Sequence, residues 1–214
     1  MMKNLINLMN KLGAGFTTQY AIGLPAEVKT RLDTIRGNDG LMPIQGIHGN
    51  IMRISLALGQ EIGMEIEREE LDWYGRVWAS QTLNNSLEIG AVVDNITDYY
   101  SRAEQTDDPR VKAMKLSKVG DVSLLAAGGI GVDAKRNSQH LRDFDYLELF
   151  RISYKGAATV ARDPLLARVS DRVHEFAQMT ALIKTLCLEC DYQAVWDLIN
   201  FRKRALSTAG AGEN

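Results

Sequence analysis

The chain has 214 residues, 45% hydrophobic and 24% charged, which is within the range of one globular domain and enough to bury a core without staples. Its 25 basic and 27 acidic side chains leave a formal net charge of −2, so no basic excess draws it onto nucleic acid and no acidic excess marks a disordered chain. No run of about eighteen apolar residues is present to span a bilayer, and two cysteines make no disulfide framework, so a reducing cytoplasm is the expected compartment.

Residues 1–12 carry the cleanest amphipathic pattern. On a helix of ~100° per residue, Met1, Met2, Leu5, Ile6, Leu8, Met9 and Leu12 fall on one side, and Lys3, Asn4, Asn7, Asn10 and Lys11 on the other. Polar residues interrupt the segment too often for the continuous apolar core of a secretory signal. Gly13-Ala14-Gly15 ends the periodicity. Such a helix covers the protein's own core, inserts into a partner or second subunit, or lies on a membrane surface. Covering the protein's own core comes first among these and a partner second; two lysines and no tryptophan give little hold on lipid, and the glycine tether supports a partner better here than elsewhere in the chain. Leu5, Ile6, Leu8, Met9 and Leu12 are therefore the candidate partner-binding residues.

Pro25 to Arg36 predicts a short helix, with proline at its first position, Val28, Leu32 and Ile35 on one face and Gly37 at its exit. Residues 37–49, with four glycines and a proline, read as a loop. Residues 1–49 together form a loosely attached arm, 50–206 a helical domain, and 207–214 a frayed tail. Asn50 to Gly63 fits either a strand, through Met52, Ile54, Leu56 and Leu58, or a helix capped by Asn50 through Ile51, Ile54, Leu58 and Ile62. Helix is favoured because no other segment offers a strand to pair with.

From Glu67 onward the pattern is helical. One helix runs through Leu71, Tyr74 and Trp78 to about Asn84; the next, capped by Ser86, carries Ile89, Val93, Ile96, Tyr100 and Ala103. Asp108-Pro109 starts a helix that Gly128-Gly129-Ile130-Gly131 breaks. Ser138 caps another, through Phe144, Tyr154 and Ala158. Asp163-Pro164 opens a long stripe of Leu165, Val169, Val173, Phe176, Thr180, Ile183 and Cys187, and Asp191 a last helix. The sum is an all-α, irregular multi-helix bundle of about eight helices, with no solenoid repeat.

Catalytic and metal constellations are sparse. Cys187-Leu188-Glu189-Cys190 is a C-x-x-C at the end of a helix, where the dipole opposes thiolate. No second C-x-x-C completes a zinc site, so two reduced packing thiols are expected, with a disulfide or zinc shared across a dimer as alternatives. His48, His140 and His174 are not spaced as metal ligands, and Asp171 with His174 is one fragment of a di-iron pattern that needs four helices. The spacing of four puts Glu61, Glu65 and Glu69 on one helical face, which reads as a wet surface rather than a cation site. Ala127 to Gly131 lacks the Gly-Lys-Ser/Thr ending of a phosphate loop, although Lys135, Arg136 and Arg142 lie nearby. No nucleophile elbow is present. Phe201-Arg202-Lys203-Arg204 suits a helix C-terminus better than nucleic acid. No metal and no cofactor is expected.

The segment Val119-Gly120-Asp121-Val122-Ser123-Leu124-Leu125-Ala126-Ala127-Gly128, followed by Tyr146, Tyr154 and Ala157-Ala158, resembles a part of certain uncharacterised bacterial helical proteins. There a Gly-Asp-x-x-Leu-(Leu/Phe) helix ends in a glycine turn before a tyrosine-rich helix and a long apolar one. The resemblance covers residues 110–185 and departs after Gly128, where Gly129-Ile130-Gly131 replaces a phenylalanine-proline turn. It implies a bacterial helical domain, in a family without an established activity.

Two functional readings follow. The first is a non-enzymatic helical interaction or assembly subunit, a homo-oligomer or bound to a protein partner. The second is a small-molecule binder or enzyme with a pocket between helices, lined by Trp73, Trp78, Tyr99, Tyr100 and Tyr154.

Overall fold

The structure is a computed structural model that describes residues 26–27, 30, 46–83, 95–130, 143–186, 195, 197 and 199–200. These residues form seven α-helices and no strand, as the 3.6-residue periodicity predicts. In chain order the helices are α1 Gly46–Ile62, α2 Arg68–Leu83, α3 Ile96–Glu104, α4 Pro109–Ala127, α5 Asp143–Ala161, α6 Pro164–Asp171 and α7 Val173–Lys184. Ala26, Glu27 and Thr30 are helical as well, and the Thr30 hydroxyl donates to the Ala26 carbonyl at 2.9 Å. Among the described residues no helix is long and apolar enough to cross a membrane.

The chain divides into two compact units, one within Ser80–Ala181 and the other within Lys3–Ala79 and Leu182–Asn214. In the second of these, α1 is a helix, as favoured, with Ile51, Ile54, Leu58 and Ile62 fully buried along one stripe. It begins at Gly46, four residues before Asn50. The last residues of the glycine-rich stretch, expected as loop, are therefore its first turn. The reason is tertiary: a Cβ on Gly75 of α2 would sit 2.7 Å from His48 Cδ2 and 2.9 Å from its carbonyl oxygen. The absent side chain lets α2 approach and hold a turn that glycine composition alone disfavours. At the far end, Gly63 at φ 70° donates to the Gln60 carbonyl (3.4 Å) and Met64 to that of Gly59 (2.8 Å). This is the Schellman pattern, which needs a left-handed residue. Tyr74 stacks edge-on to Trp78, ring centroids 6.3 Å apart, and both are buried.

The Ser80–Ala181 unit contains α3 to α6 and most of α7. Its two best-defined starts are those the dipeptides predict. Asp108 Oδ1 accepts from the backbone N–H of Arg110 (2.8 Å) and Val111 (3.2 Å), with Pro109 at the first helical position. Asp163 Oδ1 accepts likewise from Leu165 (2.9 Å) and Leu166 (3.3 Å) ahead of α6. Each cap is worth about 1 kcal/mol. Gly129, at φ 79°, ends α4 by a second Schellman turn, with Ile130 donating to Leu125 and Gly129 to Ala126, both at 2.8 Å. Arg162 takes the same left-handed position between α5 and α6, at φ 56°. Without a glycine that conformation costs on the order of 1 kcal/mol.

Two boundaries differ from expectation. α3 starts after Asn95, which stands at the N-cap position without a side-chain capping bond, so the helix predicted from Ser86 through Ala103 is not continuous at that point; Ser86 itself lies outside the described residues. The long stripe from Leu165 to Cys187 is two helices, broken at Arg172 (φ −109°, ψ 27°). There the Ser170 hydroxyl donates to the Ala167 carbonyl at 2.7 Å, the acceptor an unbroken helix would offer to Asp171. Arg172 bonds Glu175 Oε2 through Nε at 2.8 Å and lies over the Phe176 ring at 5.5 Å. Ala103, Leu116 and Ala157 join α3, α4 and α5 in one buried cluster, with Tyr100 and Leu166 packed against it.

Candidate functional site

The polar cluster most suited to chemistry sits where α4 meets α5. A Cβ on Gly120 would collide with Tyr154 Cε2 and Cδ2 and lie 3.3 Å from Cζ, while one on Gly156 would lie 3.1 Å from Leu116 Cδ1. Pairing 120 with 154 and 116 with 156 makes the two helices antiparallel, with glycine letting each approach the other. Tyr154 turns a ring edge to the helix at Gly120, and its ring meets Phe150 in an edge-on contact (centroids 4.9 Å, 88°). Its hydroxyl donates to Asp121 Oδ1.

The setting of that carboxyl is unusual. The first ten residues of α4 show solvent one face, with Arg110, Met114, Lys115 and Lys118 exposed. From Val119 to Ala126 every residue is buried except Asp121, which is half-buried. Burial pushes the Asp121 carboxyl up to about 7, against the opposing pull of the Tyr154 hydroxyl and the Lys118 ammonium. The buried hydroxyls of Ser123 and Ser153 have no hydrogen-bond partner among the described residues. The pair can thus hold or release a proton near neutral pH, with the Lys118 ammonium close enough to favour the ionised form. Among the described residues no three His, Cys, Asp or Glu side chains are grouped to hold a metal.

No family model matches this chain, and no curated protein or solved structure shows significant similarity to it.

A second cluster, in the other unit, is simpler. His48 Nε2 lies 3.1 Å from both the Asp72 carbonyl and Asp72 Oδ1, and Arg76 reaches Asp72 Oδ2 at 3.0 Å. All three side chains are at least a third exposed. The arrangement orients an imidazole and ties α1 to α2; the sequence, in which 24 residues separate His48 from Asp72, gives no sign of it.

Of the residues singled out from sequence, Leu5, Ile6, Leu8, Met9, Leu12, His140, Cys187 and Cys190 lie outside the described residues, as do Lys135, Arg136, Arg142 and the basic cluster at 201–204. His174 and Asp171 are exposed, the solvated edge expected of them. Glu61, Glu65 and Glu69 do not share a helical face: α1 ends at Ile62 and α2 begins at Arg68, which leaves Glu65 in the connection. Glu70, from the same acidic run, is buried, and its Oε2 accepts the Glu67 N–H at 3.1 Å as the return half of a capping box. The aromatic set divides: Trp73 and Trp78 are buried in one unit, and Tyr154 is buried in the other, where Tyr99 is exposed and Tyr100 half-buried. Partial burial and Glu104 raise the Tyr100 phenol above its ordinary value.

Proposed function

We propose that the protein is a non-enzymatic helical interaction or assembly subunit of the cytoplasm, self-associating or seated on a protein partner. The observation that carries this reading is the separation of apolar and polar residues along 1–12. Leu5, Ile6, Leu8, Met9 and Leu12 make the face offered to the partner, tethered by Gly13-Ala14-Gly15. The sparse chemistry supports it too: the strongest acid–base pair among the described residues has its tyrosine sealed within a helix pair. The near-neutral charge keeps nucleic acid an unfavoured partner. Removing residues 1–15 and sedimenting both forms tests the reading. The full chain should run as a complex, with itself or its partner, and the truncated chain as a folded monomer; equal masses with partner binding retained would defeat it.

One observation favours a second reading, a small-molecule binder or enzyme. A carboxyl that titrates near 7 beside a tyrosine hydroxyl is the kind of group that acid–base catalysis uses. A ligand reaching that pair would raise the melting temperature and displace the Asp121 titration.

A further inference from the structure

We propose that Asp121 and Tyr154 form a proton-operated latch between α4 and α5, closed when the carboxyl carries its proton and loosened when it is ionised. The geometry makes it one. Asp121 is the only half-buried position in an otherwise sealed run from Val119 to Ala126, so its carboxyl sits at the edge of an apolar surround. Tyr154 holds it from α5 while lying on Gly120. The carboxyl cannot leave the helix pair without disturbing the ring that fills the space between the two backbones. The groups acting on it are Tyr154 from α5 and Lys118 from its own helix. No charged side chain of α3, which packs on α4, or of α6, which packs on α5, is among them. Ionisation therefore places a charge there with one neutral hydroxyl and one exposed ammonium to answer it. The buried hydroxyls of Ser123 and Ser153, without a partner among the described residues, lie within a turn of the pair along α4 and α5, and a loosened interface would let water reach them.

The direction follows from linkage. Burial raises the carboxyl from its ordinary value of 3.8 to about 7 in the folded state. Its contribution to stability is complete below about 4 and is lost as pH rises through 7. Glu148 acts oppositely: the Arg151 hydrogen bond holds its carboxyl below the ordinary range, so its contribution is lost on acidification.

The test uses the full chain, with thermal unfolding recorded from pH 5 to 9 and amide exchange measured across α4 and α5 at both ends of that range. The unaltered protein should lose roughly 5–10 °C of melting temperature over the range. Its α4 and α5 amides should exchange at least roughly tenfold faster at pH 9, after correction for the intrinsic rate. Asp121→Asn, which cannot ionise, should show neither change. Tyr154→Phe removes the hydroxyl that favours the carboxylate, so the midpoint of the loss should move to higher pH. An Asp121→Asn variant with the original pH dependence would overturn the proposal. Should that variant not fold, a Tyr154→Phe midpoint that stays put or moves down does the same.

Discussion

Replacing Gly120 with alanine should destabilise the protein by about 2–4 kcal/mol, more than an ordinary surface or mid-helix substitution. The new methyl would occupy space that the Tyr154 ring edge already fills, and a ring between two helices has no free end to swing aside. Overpacking of this kind costs about 1–3 kcal/mol. Displacing the ring also breaks the Tyr154–Asp121 hydrogen bond, and leaving a buried polar group without its partner costs roughly 1–3 kcal/mol. Against this stands the better helix propensity of alanine, about 1 kcal/mol. The clash wins. Gly156→Ala on the facing helix is the control. Its Cβ would meet the end of Leu116 at 3.1 Å and Glu104 Oε1 at 3.6 Å, both flexible side-chain ends, so it should be neutral or slightly stabilising. Urea denaturation of the two variants separates a specific ring contact from a general intolerance of α4 and α5.

Gly128→Ala should cost about 2–3 kcal/mol, for a different reason. Gly128 has an ordinary φ of −79°, so no backbone strain is at issue. Its added Cβ would lie 2.5 Å from Thr180 Cβ and 3.2 Å from the Ala181 nitrogen, and nearer still to Thr180 Cγ2. Thr180 is fully buried, and its hydroxyl donates to the Phe176 carbonyl at 2.8 Å, which fixes the rotamer. Rotating a side chain does not relieve a contact with Cβ and backbone. The end of α4 or the middle of α7 must move. Thr180→Ser, which removes only the methyl, should recover little of the loss, while Thr180→Gly in the same background should recover most of the clash. A Gly128→Ala variant within about 0.5 kcal/mol of the original would show that the two segments are not packed this closely.

Much of the secondary structure was legible because its causes are local. Asp108-Pro109 and Asp163-Pro164 announce helix starts through a carboxylate cap and a residue with no N–H to waste, and both caps form as read. The Gly128-Gly129 exit is likewise local: one position needs a left-handed residue and glycine supplies it. The break at Arg172 was not legible, because Leu165, Val169, Val173, Phe176 and Thr180 keep helical phase straight through it. Periodicity records which residues face the core; an interruption that preserves that facing leaves no trace in it. The early start of α1 was hidden for the opposite reason. Glycine composition says loop, and only the contact of His48 with Gly75 overrides it.

The candidate site was half legible. Gly120-Asp121 and Tyr154 were each marked by the resemblance, but nothing in a spacing of 33 residues says that the tyrosine ring lies on that glycine. That is a property of the antiparallel register of α4 and α5, set by every contact along both helices. The elevated Asp121 carboxyl is one step further removed, since it depends on how completely its neighbours are sealed from water.

Native mass spectrometry of the protein taken from its host tests the assignment of an assembly subunit most directly. The species expected is a multiple of the 23.8 kDa chain, or that chain with a second polypeptide, with no bound small molecule. A lone chain carrying a stoichiometric metal ion or prosthetic group would contradict it.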